Sequence, residues 1–346
     1  MVSVSGKRSV TVAARLFRRR VDSAHGCVHY GLRGRMLLMQ KLAFVLMITV
    51  AGRAADIHPS WAFLVPDKDQ PKVEESNEPR HITGSTKAYT PAQIDDLSNP
   101  PEWFPDEHGP LPAIVQHGKG AALACGACHL YSGHGHPESA DITGLPLDYI
   151  IRTMNDFKSG ARIDPARMNG IAKAMSDEEI KESSEWAASL KPGPWVKVVE
   201  SNSVPKNYVS IKGRMRLPMP DGGMEPLGNR IIELPQDAFR ATSRDPHSGF
   251  MAYVPLGSVA KGEALVKTGG GGKTIACGVC HGDKLQGLAD VPRLAGLHPV
   301  YVVRQLCNFQ SGASNGASAA LMKKVVANLS EDDMIAIAAY AAAQGQ

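Results

Sequence analysis

Cys125-Gly126-Ala127-Cys128-His129 recurs, 152 positions later, as Cys277-Gly278-Val279-Cys280-His281, and the likeness does not stop at the motif. Gly144-Leu145-Pro146-Leu147-Asp148-Tyr149-Ile150-Ile151-Arg152 answers Gly296-Leu297-His298-Pro299-Val300-Tyr301-Val302-Val303-Arg304 at the same offset. Asn155-Asp156-Phe157-Lys158-Ser159-Gly160 then answers Cys307-Asn308-Phe309-Gln310-Ser311-Gly312. Past Gly160 the offset becomes 154. There Met168 precedes Ile171-Ala172 and Ser176-Asp177-Glu178-Glu179, as Met322 precedes Val325-Val326 and Ser330-Glu331-Asp332-Asp333. The chain contains an internal duplication, and each half can be read against the other.

C-x-x-C-H is the attachment signature of c-type haem. Two thiols add across the two vinyl groups of one porphyrin edge, and the adjoining histidine is thereby held beneath the iron. Cys125, Cys128 and His129 form one such site, and Cys277, Cys280 and His281 the other. A zinc ribbon wants its second Cys pair some 15 to 20 residues on, far closer than these. A thioredoxin-like dithiol would follow a strand, which neither site has, and a structural disulfide leaves the repeated His unexplained. Two covalent haem c groups are therefore expected.

Each half also offers a thioether eight residues before a serine that opens a helix. Ser176 with Glu179 is a capping box, and Ser330 with Asp333 its weaker version. Ile180, Ala187 and Leu190 in one helix, and Met334, Ile337, Ala338 and Ala341 in the other, suit core-facing helices. Met168 and Met322 are the candidate sixth ligands, giving His129/Met168 and His281/Met322 at the two irons. Met154, Met175 and Met334 sit in helical registers and are read as core filler.

The order C-x-x-C-H, Gly-Leu with Tyr and Arg in a helix, Phe-x-Ser-Gly, Met, and a capped terminal helix resembles the class I cytochromes c, and with two copies their diheme members. The resemblance covers roughly residues 112–192 and 256–345. It implies an all-α fold of two tandem class I cytochrome c domains, each wrapping a covalent haem with His and Met axial ligands. It also implies that Tyr149, Arg152, Tyr301 and Arg304 lie near propionates. The family usually places a Pro before the Gly-Leu, and its carbonyl accepts a hydrogen bond from the axial imidazole. Pro292 fits this pattern, whereas the matching position is Ala140. Iron sealed on both faces has no free site for substrate, so the chain is expected to carry electrons rather than catalyse. The alternatives are the cytochrome subunit of a larger dehydrogenase or oxidase, and a diheme peroxidase, which would need an open sixth position.

The 346 residues, 43% apolar and 21% charged, exclude a fibre, a wholly disordered chain and a multi-span transporter. The formal charge of +4 comes from the leader, since ten Lys or Arg lie in residues 1–54 against the single acid Asp22. The remaining body is acidic, so no nucleic-acid footprint is expected. Leu42 to Val50, after Lys41 and before Ala51-Gly52-Arg53-Ala54-Ala55, reads as a signal peptide, too short to span a bilayer. Export to the periplasm is expected, with membrane tethering left open. The partners would then be redox proteins as electron donor and acceptor, among them a membrane-bound oxidase or dehydrogenase complex.

Domain boundaries are expected at 1–54 (leader), 55–111 (Pro-rich arm), 112–195 and 256–346 (haem domains), and 196–255 (a Pro/Gly-rich irregular connector). The connector has one strand-like run, Arg230–Leu234. Gly269-Gly270-Gly271-Gly272-Lys273-Thr274 lacks the Walker spacing and is read as a flexible insert. His108, His117, His134, His136, His247 and His298 are read as solvated loop histidines.

Overall fold

The computed structural model describes residues 58–72 and 76–345. The leader, with the expected signal peptide, lies outside them. Both halves are built on the same helical plan, and local sequence explains the helix ends. In the first half α2 (Ala113–Gln116) leads into α3 (Gly126–His129), which is the attachment motif itself. Next come α4 (Leu147–Ser159), α5 (Met168–Ala174) and α6 (Asp177–Ser189). In the second half α8 (Ser258–Thr268), α9 (Gly278–His281), α10 (Pro299–Ser311), α11 (Ala319–Val326) and α12 (Glu331–Ala343) repeat that order. Gly160 and Gly312 end α4 and α10 with φ of 83° and 84°, the left-handed cap that glycine adopts without a side-chain penalty.

Ser176 and Ser330 each cap the final helix of their half, and both capping boxes close completely. Asp333 thus serves as fully as Glu179: its carboxylate accepts from the Ser330 N–H at 2.9 Å. The last helix differs between the halves. α6 buries one face through Ile180, Trp186 and Ala187. α12 is alanine-rich and buried almost all round, because it is clasped by α8, α10 and the connector. Gly262 lets α8 approach α12 closely, since a Cβ there would stand 2.0 Å from the Ala336 carbonyl oxygen.

The all-α expectation fails for the connector. Residues 196–254 hold β3 (Val196–Glu200), β4 (Ser203–Pro205), β5 (Asn207–Val209), β6 (Arg216–Pro218), β7 (Met224–Pro226), β8 (Ile232–Pro235) and β9 (Phe250–Val254). A short helix, α7 (Ala238–Thr242), joins the last two. β9 lies between β3, its parallel neighbour, and antiparallel β8, while β4 pairs with β7 and β5 with β6. Buried backbone needs hydrogen-bond partners, and a segment this long inside a compact body finds them in small sheets. The strand-like run is shifted along, to Ile232–Pro235, and all four residues are buried.

The arm is also ordered. It forms β1 (Arg80–His81), β2 (Ala88–Tyr89) and α1 (Pro91–Ile94), then a 3-10 turn at Pro105–Glu107. Ile82, Ile94 and Trp103 make its own small core. It joins the first half through Gly118 N–H to the Ser98 carbonyl at 2.7 Å and Ala124 N–H to the Leu97 carbonyl at 3.1 Å.

Candidate functional site

Each attachment motif is a single helical turn, so its two sulfurs and its histidine are fixed by one local conformation. Cys125, Cys128 and His129 share α3; Cys277, Cys280 and His281 share α9. All four motif thiols are free. Burial pushes the Cys125 thiol up to about 12 and the Cys277 thiol up to about 11, so both stand as neutral S–H groups. Two free thiols in a turn of C-x-x-C-H are the groups that haem c attachment uses.

The histidines are posed alike. His129 Nδ1 lies 2.8 Å from the Ala140 carbonyl oxygen, and His281 Nδ1 lies 2.7 Å from that of Pro292. Burial lowers the pKa of both imidazoles and keeps them neutral, against the carbonyls' opposing pull. A neutral ring donating from Nδ1 holds its lone pair on Nε2, the state a metal-ligating histidine needs. Ala140 therefore supplies the same carbonyl as Pro292, without the proline ring.

Met168 opens α5 and packs partly buried against Ile114, Ala122 and Met175. Met322 lies in α11 and packs partly buried against the second-half core. In the first half the segment just before Met168 lies close to the motif: Asp164 and Arg167 act on the Cys128 thiol in opposite directions. In the second, Thr274 Oγ1, three residues before Cys277, donates to the Val325 carbonyl of α11 at 2.7 Å. A nearby cavity of about 600 Å3 is lined by arm, connector and the loop carrying His136, but by none of the four motif cysteines.

The residues expected near propionates are distributed differently. Arg304 is buried and committed, donating to the Ala62 carbonyl at 3.0 Å and to Glu138 at 3.1 Å, and also to the Pro137 carbonyl. Arg152 pairs at 3.2 Å with the exposed Asp290 of the other half. The cation beside both tyrosines is Arg162, which is half-buried. Its guanidinium donates to Gln305 at 2.6 Å and Tyr301 at 3.1 Å, with Tyr149 also in reach, and among the described residues it meets no carboxylate. The only sequence signal was its place two residues after the glycine that ends α4. At the 152-residue offset, which the backbone keeps as far as this residue, the duplicated position is Ser314, with which Arg162 forms an antiparallel bridge.

A second cross-domain contact lies directly behind the axial histidines. Asp141 follows Ala140 and Arg293 follows Pro292, so the two are equivalent positions 152 residues apart. They pair with each other at 2.7 Å, and both are buried. Arg293 also donates to the Thr143 carbonyl and hydroxyl, each at 2.8 Å.

Three of the histidines read as solvated are not. His298 is buried and its Nδ1 lies 2.6 Å from Glu233, whose other oxygen accepts from the Val300 N–H at 2.8 Å. His134 stacks on Trp195 at 4.9 Å between centroids, and neither of its ring nitrogens meets a partner. Burial holds the His136 pKa well below its usual value. All three are enclosed because the connector folds back over the loops that carry them.

No family model matches the chain. It is similar to cytochrome c4 of Pseudomonas aeruginosa, with 26% identity over 231 residues covering 64% of this chain and 85% of that one. It is similar to the thiosulfate dehydrogenase electron acceptor of Thiomonas intermedia, with 26% identity over 228 residues covering 64% and 79%. Cytochrome c-554(548) of Halomonas halodenitrificans is 35% identical over 89 residues, which are 25% of this chain and 98% of that protein. Among solved structures, cytochrome c4 of Acidithiobacillus ferrooxidans aligns at a TM-score of 0.43 with 19% identity, covering 63% of this chain and 96% of that one.

Proposed function

Because the chain belongs to the class I cytochromes c, as a diheme electron-transfer member with two covalent haem c groups, we propose a ligand set for each half and a redox enzyme as partner. Cys125 and Cys128 hold one haem, with His129 and Met168 as axial ligands. Cys277 and Cys280 hold the other, with His281 and Met322. When bound, haem c supplies reversible one-electron chemistry at iron. The chain's part is to fix the two faces and set the potential. The Ala140 and Pro292 carbonyls orient the imidazoles and raise their basicity. The thioethers fill the opposite faces, and such ligation favours the reduced iron. Arg162, a half-buried cation with only neutral partners among the described residues, suits a propionate carboxylate as its counter-charge.

The single observation behind this proposal is the duplicated geometry: the same turn, the same carbonyl to Nδ1, and a methionine at equivalent places in both halves. The domain limits 112–195 and 256–346 follow that duplication. A pyridine haemochrome assay should return two haems per chain, and the ferric protein should show the weak long-wavelength band of sulfur bound to iron. Met168→Ala or Met322→Ala should remove half of that band. A band untouched by either change would refute the assigned ligands.

Export of the chain by a signal within residues 1–54, with function in the periplasm, fits this role; among the described residues no helix is long and apolar enough to cross a membrane. The likeness to a thiosulfate dehydrogenase electron acceptor favours a dehydrogenase as the electron donor. A terminal oxidase or a second carrier would then take the electrons onward.

A further inference from the structure

Equivalent residues of the two attachment motifs differ sharply in exposure. Ala127, the third residue of the first motif, is fully buried, whereas its counterpart Val279 is 68% exposed. Cys128 is half-buried and Cys280 exposed. The motifs have the same backbone turn, so the difference comes from what the rest of the chain lays over them.

Over the first motif lie the connector and the arm. Arg244, just past α7, donates to the Ala127 carbonyl and, at 2.8 Å, to the Ile94 carbonyl of α1. Trp103 of the arm ties down the same segment through the Ser243 carbonyl at 2.8 Å. The arm and connector do reach the second half, but elsewhere: Trp61 bonds Glu331, Asn229 bonds Asp332, and Glu233 bonds the start of α10. Among the described residues no hydrogen bond from arm or connector meets α9.

Around the second motif the open surface is apolar at its centre and basic at its rim. Ile275 is 53% and Leu321 70% exposed, and Leu321 occupies the position that Arg167 takes beside Cys128 in the first half. Lys284 and Lys324 are exposed and form no ion pair among the described residues, and Lys323 bonds only Asn315. Asp283 is the nearest opposing charge in sequence. Overall, residues 256–346 carry eight Lys or Arg against six acids, while residues 112–195 carry eight against ten.

We infer that the second motif is the single electron port of this protein, and that it receives a redox protein whose contact face is apolar at its centre and acidic at its rim. The inference rests on the diheme assignment above. With haem held by Cys277, Cys280 and His281, that site would accept one electron from the partner, the partner being oxidised as the haem is reduced. The first site, covered by arm and connector, would exchange electrons only through the second. An apolar centre within a charged rim fits the small, transient contact of redox partners, in which rim charges set the encounter rate.

The probe is an acidic plant-type ferredoxin, reduced, mixed with the oxidised holoprotein in a stopped-flow apparatus at low ionic strength. The Lys284→Glu, Lys324→Glu double variant should lower the second-order rate constant about three- to tenfold, with the gap narrowing at high salt. Leu321→Asp should lower it too. Lys173→Glu, an exposed change in the first half, should leave it within about twofold. A readout independent of electron transfer is carbodiimide coupling, which joins a lysine amine to a ferredoxin carboxylate as an amide. Peptide mapping should find Lys284 and Lys324 joined. Equal sensitivity at Lys173, insensitivity at the second-half positions, or couplings confined to the first half would overturn the port. A rate that rises in the Glu variants would overturn the acidic partner. Fewer than two haems in the pyridine haemochrome assay of the unmodified protein would instead overturn the diheme assignment, and the port with it. A two-haem protein with unaffected rates refutes the port alone.

Discussion

Arg293→Met should cost this protein more stability than almost any other single change in its interior. Arg293 lies between the halves, 5% exposed, and pairs with Asp141, itself only 2% exposed. The substitution keeps most of the side-chain length but leaves the Asp141 carboxylate buried with only the Thr143 N–H at 2.9 Å and Thr143 hydroxyl at 2.7 Å. Breaking a buried ion pair by removing one partner typically costs about 3 to 5 kcal/mol. Two further hydrogen bonds to Thr143 are lost, so the upper part of that range applies. Urea unfolding of the holoprotein, followed by far-ultraviolet circular dichroism, reads this as a fall in midpoint at constant slope. Replacing both partners, as Asp141→Leu with Arg293→Met, should recover much of the loss, because no unpaired charge remains. A single-variant loss under about 1 kcal/mol, or a double variant as unstable as the sum of the singles, would refute this account. The pair also stands one residue beyond each histidine-orienting carbonyl. In the charge-neutral double variant, loosening of the pair should weaken both imidazole hydrogen bonds, reduce ligand basicity and raise both haem potentials together in a potentiometric titration.

Arg162→Met should lower the potentials of both haems in the same titration, because a nearby positive charge favours the added electron; unchanged potentials would reduce Arg162 to a packing role. Gly262→Ala should destabilise the second half by about 1 to 3 kcal/mol in urea unfolding, since its Cβ has no room against the Ala336 carbonyl. A stability gain, from the better helix propensity of alanine, would show that α8 can move off α12 at no cost. The His136 pKa is depressed first by burial and then by Arg244 and other neighbouring cations, so the native protein keeps this ring neutral while the unfolded chain protonates it near 6.5. Its contribution is present above that pH and is lost as pH falls toward the lower native value. The urea midpoint should drop between pH 7 and pH 5, and His136→Gln should flatten that drop.

The haem domains were legible because their determinants are local. A C-x-x-C-H turn, a serine with an acid three residues on, and a glycine after an amphipathic run each fix a few consecutive residues whatever surrounds them. Met168 and Met322 could be proposed as ligands only because the duplication supplied a second copy to compare. The connector was not legible, since β3 and β9 are parallel neighbours some fifty residues apart, and strands of at most five residues are too short to show a clear period. For the same reason His298 passed as a loop residue. Its partner Glu233 is 65 positions away on β8, and nothing near it in sequence announces the pair. Matching repeat positions did not reveal a further difference: Arg304 is buried against the arm and first half while Arg152 is part-exposed.

That last contrast bears on what the duplication became. Two identical halves meeting about a two-fold axis must bring each on-axis residue against its own copy, and an acid would meet an acid. Here one on-axis pair has diverged into complementary partners: Asp141 meets Arg293. That ion pair could not be made by a symmetric dimer of either half. The pairing makes the two halves unlike, and the arm and connector lie over only the first of their motifs. Asymmetry at the buried axis and asymmetry of exposure at Ala127 and Val279 are two results of the same divergence. A chain so built has a direction: one haem site is enclosed by its own polypeptide, and the other is turned toward whatever protein it meets.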